Sequence, residues 1–338
     1  MVYLIIKSAI FKHTTICAPC IKLLKRNFAE LQPISKKALH PYKQIHPWKS
    51  MTEFSEDLLA NIIFNEDGLV ALNKPYGIKR DGVKVSAYGV PNAVNYTLTE
   101  AVPYISKHLG YPNLAIIKCP EMYMSGVTLL ATNEKIQRAV EVSVIQNKYL
   151  SYKYWVVTCG KPKQLEGKHR VAMKSMQRPN HDGSKAVIVT SWSKNDEKLN
   201  RIKLLNTEFK ILSNSILDLC SLVEITSSTK RWHAIRLYAS TYLYSPILGD
   251  NVCGSRVKKV GNTHVKVDPF LETANAPPKL NKRLLQLLAV SEERQIIIPA
   301  HIHLKKVVLP NFYGKDVTIE APLPPSFHWT CKQLDLQY

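Results

Sequence analysis

Residues 61–77 read NIIFNEDGLVALNKPYG, two apolar runs on either side of Glu66-Asp67-Gly68, closed by Pro75 and Gly77. An Asp-Gly pair between two such runs predicts a β-hairpin, because a tight turn needs positive φ where Gly supplies it. Further strands are predicted at 127–132 (VTLLAT), 152–159 (YKYWVVTC), 186–192 (AVIVTSW), 216–226 (ILDLCSLVEIT), 302–309 (IHLKKVVL) and 316–322 (DVTIEAP). Helical periodicity is rarer. It appears at 98–110, at 134–146 and at 280–290, where Leu284, Leu285, Leu287 and Leu288 form an apolar stripe. Strand follows strand more often than helix follows strand, which predicts an α+β fold with a largely antiparallel sheet. The chain has neither GxGxxG nor GxxxxGK[ST], so a doubly wound nucleotide fold is disfavoured.

Two polar stretches, 161–185 and 256–269, mix Lys and Arg with Gly, Pro and Asn and are predicted as exposed loops. They read equally as solvated faces or as arms that track a phosphate backbone. Charge sharpens the choice of partner. The 338 residues are 45% hydrophobic, ample for a packed core, yet carry a net charge of +20, which points to a polyanion, nucleic acid before membrane. Part of that charge sits in residues 1–50, where nine basic residues face the single acid Glu30, as in a mitochondrial targeting leader. The remaining residues still carry +12. The expected organisation is a leader and linker at 1–50 and a folded domain at 51–338. The opening MVYLIIKSAIF is too short to span a bilayer, so no membrane insertion is expected. Seven scattered cysteines fit a reducing compartment. Cys17-Ala-Pro-Cys20 lacks a second pair to complete a metal site, and His301 and His303 are expected to be structural.

One acidic residue stands in an otherwise apolar approach to a Ser-Gly pair: IIKCPEMYMSG, Ile116 to Gly126, with Glu121 at its centre. This segment resembles the catalytic H-R-L-D-x-x-T-S-G-L stretch of the RluA-type pseudouridine synthases, with Lys118, Cys119, Pro120 and Glu121 at the H-R-L-D positions and Met124 for the Thr. Five other segments resemble that family in the same order. LVALNKPYGI resembles its NKPxG turn, KYWVVTCG its K-x-Y-x-A-x-V-x-G strand, STKRWHAIRLY its T-G-R-T-H-Q-I-R-V-H stretch, and SPILGD its P-I-x-G-D. AHIHLKKVVLP with APLPPSF resembles its C-terminal strand and tail. The leader, the Glu in place of Asp and the APLPP tail are most similar to the mitochondrial RNA pseudouridylate synthase domain-containing branch.

The resemblance implies a pseudouridine synthase fold, a curved mixed sheet with flanking helices and a central RNA cleft. It also implies cofactor-free conversion of uridine to pseudouridine in mitochondrial messenger or ribosomal RNA, in the matrix. Glu121 would take the nucleophile's place, Arg236 would pair with the carboxylate, and Tyr154 would stack on a base flipped out of its helix. RNA contacts would come from Lys74, Lys118, Lys168, Arg170, Arg231 and His233. Glu keeps the charge of Asp but moves the carboxylate by roughly an ångström, a shift that can cost about 100-fold in rate. The alternative implied by that change is a catalytically inactive RNA-binding or ribosome-assembly factor on the same fold.

Overall fold

The computed structural model describes residues 39–82, 90–181, 183–261 and 263–338. The expected leader and the Cys17/Cys20 pair lie outside these residues, apart from the stretch approaching residue 50. Pro41–Tyr338 is one compact unit. Tyr42 is already fully buried within it, bonded to Thr330 at 2.8 Å, so packed structure starts ahead of residue 51.

The unit is built on a mixed sheet. Its strands are β1 (Ile62–Glu66), β2 (Leu69–Lys74), β3 (Ala115–Lys118), β4 (Ser125–Ala131), β5 (Tyr152–Cys159), β6 (Glu166–Met176), β7 (Lys185–Val189), β8 (Ile202–Asn214) and β9 (Cys220–Ser227). A separate hairpin, β10 (Val257–Val260) and β11 (Thr263–Lys266), precedes β12 (Ile302–Phe312) and β13 (Lys315–Glu320). The order along the sheet is β1-β2-β4-β12-β5-β9-β8-β6-β7, with β3 added to β4 and β13 to β12. Among the named strands β4 and β12 alone run parallel, His303 beside Ser125 and Leu304 beside Gly126. The α+β, mostly antiparallel reading therefore holds.

Alternation explains the layers. Along β2, Leu69 and Ala71 enter one core while Val70 and Leu72 enter another, where Phe54, Leu58, Leu98 and Ile105 of helices Met51–Ala60 and Leu98–His108 cover the sheet. Farther along, Val157 and Leu222 meet Leu284, Leu285 and Leu288 of the predicted leucine stripe, together with Phe327 of helix Pro325–Gln333. The Asp67-Gly68 turn forms as read, with φ of 52° and 76° and Glu66 paired to Leu69.

Two expectations change. The stretch 161–185 is not one continuous loop, because β6 occupies Glu166–Met176 in its middle and buries Val171, Ala172 and Met173. Lys168 and Arg170 are exposed on that strand, and their charge obscured an alternating pattern. Likewise 256–269 forms the β10–β11 hairpin rather than an irregular loop. No described helix is long and apolar enough to cross a membrane.

Candidate active site

Glu121 lies in the loop between β3 and β4, and its neighbours hold that loop from three sides. Gly77 N–H donates to the Met122 carbonyl at 2.8 Å, which ties the NKPYG turn to it. Lys74, wholly buried, donates from Nζ to the carbonyls of Met124 at 2.7 Å, Pro75 at 3.0 Å and Ile78 at 3.1 Å. Lys230 donates from Nζ to the Cys119 carbonyl at 2.8 Å. A further bond from Met124 N–H to the Glu121 carbonyl at 2.9 Å closes the turn. A charged donor on a buried carbonyl is worth more than a neutral one, so these lysines stiffen the backbone that aims Glu121.

Behind the loop, Gly126 at φ 116° lets β12 pass against it, since a Cβ there would stand 2.3 Å from the Leu304 carbonyl oxygen. Ser125 O–H donates to His303 Nδ1 at 2.9 Å, the tautomer being set by Nε2–H facing the Ala321 carbonyl at 3.3 Å. His301 and His303 are both buried and hydrogen-bonded within the fold, as expected of structural residues. Among the described residues no group of His, Cys, Asp and Glu could hold a metal ion.

The carboxylate opens on a cleft of about 530 Å³, within the range of small-ligand sites and roomy enough for a flipped nucleotide. Lys79, Arg80, Tyr123, Lys230, His233 and Arg236 line it with Glu121. His233 Nδ1 stands 3.3 Å from Glu121 Oε2 and 3.0 Å from the Tyr123 hydroxyl. Trp232 and His233 are consecutive non-glycine residues in the left-handed region, φ 53° and 57°, just before helix Ala234–Thr241. Such a pair costs about 1–2 kcal/mol per residue. It turns the chain so that the His233 ring meets Glu121 and Tyr123, and leaves Trp232 40% exposed at the same loop.

Burial alone would raise the Glu121 carboxyl. The neighbouring His233 and Tyr123 side chains and the charges of His233 and Lys230 more than offset it, so its pKa lies below the ordinary value. The group is therefore a carboxylate at neutral pH. Burial, followed by the Glu121 charge, pushes the Tyr123 hydroxyl well up, so it stays a donor.

Arg236 is placed at the cleft, but its expected pairing with Glu121 is not what the structure shows. Its guanidinium binds Asp250, with Nε to Oδ1 at 2.8 Å and a second contact from the terminal nitrogen, and lies 4.2 Å over the Tyr123 ring. Asp250 Oδ1 also accepts the Val252 and Cys253 N–H groups. Tyr154 is buried in β5, where burial first and then the charges of Tyr152 and Glu121 raise its hydroxyl, which puts it in the field of the site. Among the described residues, the tyrosine that lines the cleft is Tyr123.

The six expected RNA contacts divide. His233 lines the cleft and Arg231 is exposed on the same loop. Lys118 is half-buried over the Tyr152 ring at 4.1 Å, and burial with the nearby Lys230 lowers its pKa to about 8. Lys74 is corrected to a structural role, since its amine is sealed among three carbonyls and burial pushes its pKa down to about 8. Lys168 and Arg170 do not line the cleft; they face Glu208 of β8 and Glu197 of the short helix Lys194–Lys198. Sequence reasoning missed Tyr123, Lys230 and Asp250. Lys230 carried a signal, because it stands where the T-G-R-T-H-Q-I-R motif has Gly, and Asp250 lay in SPILGD without being singled out.

No model of a known protein family matches the chain. Individual relatives do. The zebrafish (Danio rerio) mitochondrial pseudouridylate synthase RPUSD4 is 24% identical over 315 residues, 87% of this chain and 77% of that protein. The mouse (Mus musculus) mitochondrial mRNA pseudouridine synthase Rpusd3 is 27% identical, with 85% and 80% covered. The ribosomal large subunit pseudouridine synthase C of Rickettsia bellii is 26% identical, with 79% and 69% covered. Among solved structures, human RNA pseudouridylate synthase domain containing 4 superposes with a TM-score of 0.62 at 20% identity, over 85% of this chain and 97% of that one. Motif order and relatives agree: the chain is similar to the RluA-type pseudouridine synthases, mitochondrial RPUSD proteins among them, and it shares their fold.

Proposed function

We propose that the chain is a pseudouridine synthase acting on mitochondrial messenger or ribosomal RNA, with Glu121 as the group that attacks or deprotonates the sugar. The observation that carries this reading is an ionised Glu121 held on a stiffened loop at the mouth of a nucleotide-sized cleft. The reaction breaks the bond from C1′ to N1 of uridine and joins C1′ to C5. C5 loses a proton and N1 gains one, so nothing is consumed and no cofactor is called for.

Glu121 reaches about an ångström farther than an aspartate would, a displacement that matters on the scale of catalytic positioning. Pro120, which fixes its own φ, and the Lys74, Lys230 and Gly77 contacts supply a backbone shaped for that longer side chain. Tyr123 offers the base an aromatic edge, Arg236 fixes Tyr123, and Lys79, Arg80 and Arg231 supply charge for the flanking phosphates. Relatives named as mitochondrial, together with the basic first 40 residues, support a matrix enzyme whose leader ends before Pro41.

The test is a base-resolution pseudouridine map of mitochondrial RNA from cells lacking the protein, rescued with the natural sequence or with Glu121→Gln. A site restored by the natural sequence alone supports the enzyme. If no site depends on the protein, or both versions restore it equally, the fold serves as an RNA-binding factor instead.

A further inference from the structure

A second cavity, of about 370 Å³, lies between β6, β7, helix Ala234–Thr241 and the segment that carries the β10–β11 hairpin. Arg178, Arg256, Lys266 and Asp268 supply its charges, and Ile188 and Leu237 belong to its apolar wall. Arg256 is the unusual member. It is only 6% exposed, its Nε has no hydrogen-bond partner, and among the described residues no carboxylate pairs with it. The one acid in the cavity is already engaged, because Asp268 Oδ2 binds Arg178 at 2.5 Å and Oδ1 accepts Phe270 N–H at 2.9 Å. A buried guanidinium with an idle donor and no counterion is costly unless an anion completes it.

We infer that this cavity is a phosphodiester subsite, in which Arg256 and Lys266 take a backbone phosphate of RNA and Leu237 and Ile188 lie against its sugar or base. A planar guanidinium suits two oxygens of one phosphate. Place in the fold supports RNA as the source of that phosphate. Helix Ala234–Thr241 lends Arg236 to the Glu121 cleft and Leu237 and Thr241 to this cavity, so the two sites share one helix. The exposed Lys258 and Lys259 of β10 extend the positive charge outward. That the bound strand is RNA rests on the proposed function, whereas the anion site rests on Arg256.

The test uses the full chain in two measurements. In the first, the Arg256 Nε–H resonance is followed by NMR during titration with inorganic phosphate and, separately, with a ten-nucleotide single-stranded RNA. Both should shift it. In the second, RNA affinity is measured against salt for the natural chain, Arg256→Gln and Lys266→Ala. Each variant should bind about tenfold more weakly, with the slope of log affinity on log salt reduced by about 0.7, one phosphate contact on a single strand. Lys266 is exposed, so its loss leaves the fold intact if Arg256→Gln does not. A resonance that moves with phosphate but not with RNA, alongside an unchanged slope, overturns the inference in favour of a site for free phosphate. A resonance that neither ligand moves, or failure to bind RNA at low salt, overturns it as well. If the slope falls while no pseudouridine forms on any RNA, the subsite stands and the catalytic reading fails.

Discussion

Arg236 gives its hydrogen bonds to Asp250, and their side chains are only 2% and 0% exposed. The cation at the back of the cleft is thereby neutralised by an acid from another segment, and Glu121 is left to His233 and Lys230.

Removing one partner of such a pair strands the other charge in the core. Asp250→Ala should therefore destabilise the unit by about 3–5 kcal/mol in urea unfolding. Replacing both residues with apolar ones, Arg236→Met with Asp250→Leu, should recover much of that loss while abolishing the platform under Tyr123. Equal losses for the single and double variants would refute the pairing as the cause.

His233 tunes Glu121. Under the proposed function the carboxylate is the working form, and its pKa is held below the ordinary value, so activity in the natural chain should persist as pH falls toward that lowered pKa. His233→Ala removes a hydrogen bond and a charge that favour ionisation, which raises the pKa. The acid limb of the pH–rate profile should move to higher pH, with Lys230→Met moving it the same way. An unmoved limb would mean that some other group governs it.

Acid should weaken the fold through His301 and His303. Burial pushes their pKa values down to about 4 and about 3, below the ordinary 6.5, so the folded state keeps both neutral. A depressed pKa gives stability that is complete above the unfolded value and is lost as pH falls. Below pH 6.5 each should contribute a slope of up to about 1.4 kcal/mol per pH unit, down to its folded pKa. Denaturation measured from pH 7.5 to 4.5 should show a shallower dependence for His303→Gln.

Two glycines with positive φ separate backbone strain from collision. At Gly126 a Cβ would stand 2.3 Å from Leu304 O and 2.7 Å from Leu304 N, atoms of an adjoining strand that cannot swing aside. At Gly110, φ 73°, nothing lies within 4 Å. Gly110→Ala should cost about 1–2 kcal/mol, and Gly126→Ala considerably more, up to loss of the folded protein. Similar midpoints for the two would contradict the close crossing of β4 and β12.

Local pattern was enough wherever one segment carried its own physics. The Asp67-Gly68 hairpin, β5 at 152–159 and the leucine stripe at 284–288 were legible because turn geometry and periodicity act within a few residues. The α+β class followed from their succession, and Glu121 was found because its segment kept its place among the others. Other features depend on partners far apart in the chain. β6 was hidden under lysines and arginines that a strand tolerates on its solvent face. Arg236 could be assigned to Glu121 by resemblance, but fourteen residues further on Asp250 offers a drier and better-aligned partner. Lys74 looked like a phosphate contact until folding enclosed its amine among three carbonyls. Residue type and spacing determined which elements form and where the acid lies. Tertiary structure decided which charges meet, because burial and distance set the strength of a charge and neither is a property of sequence neighbours.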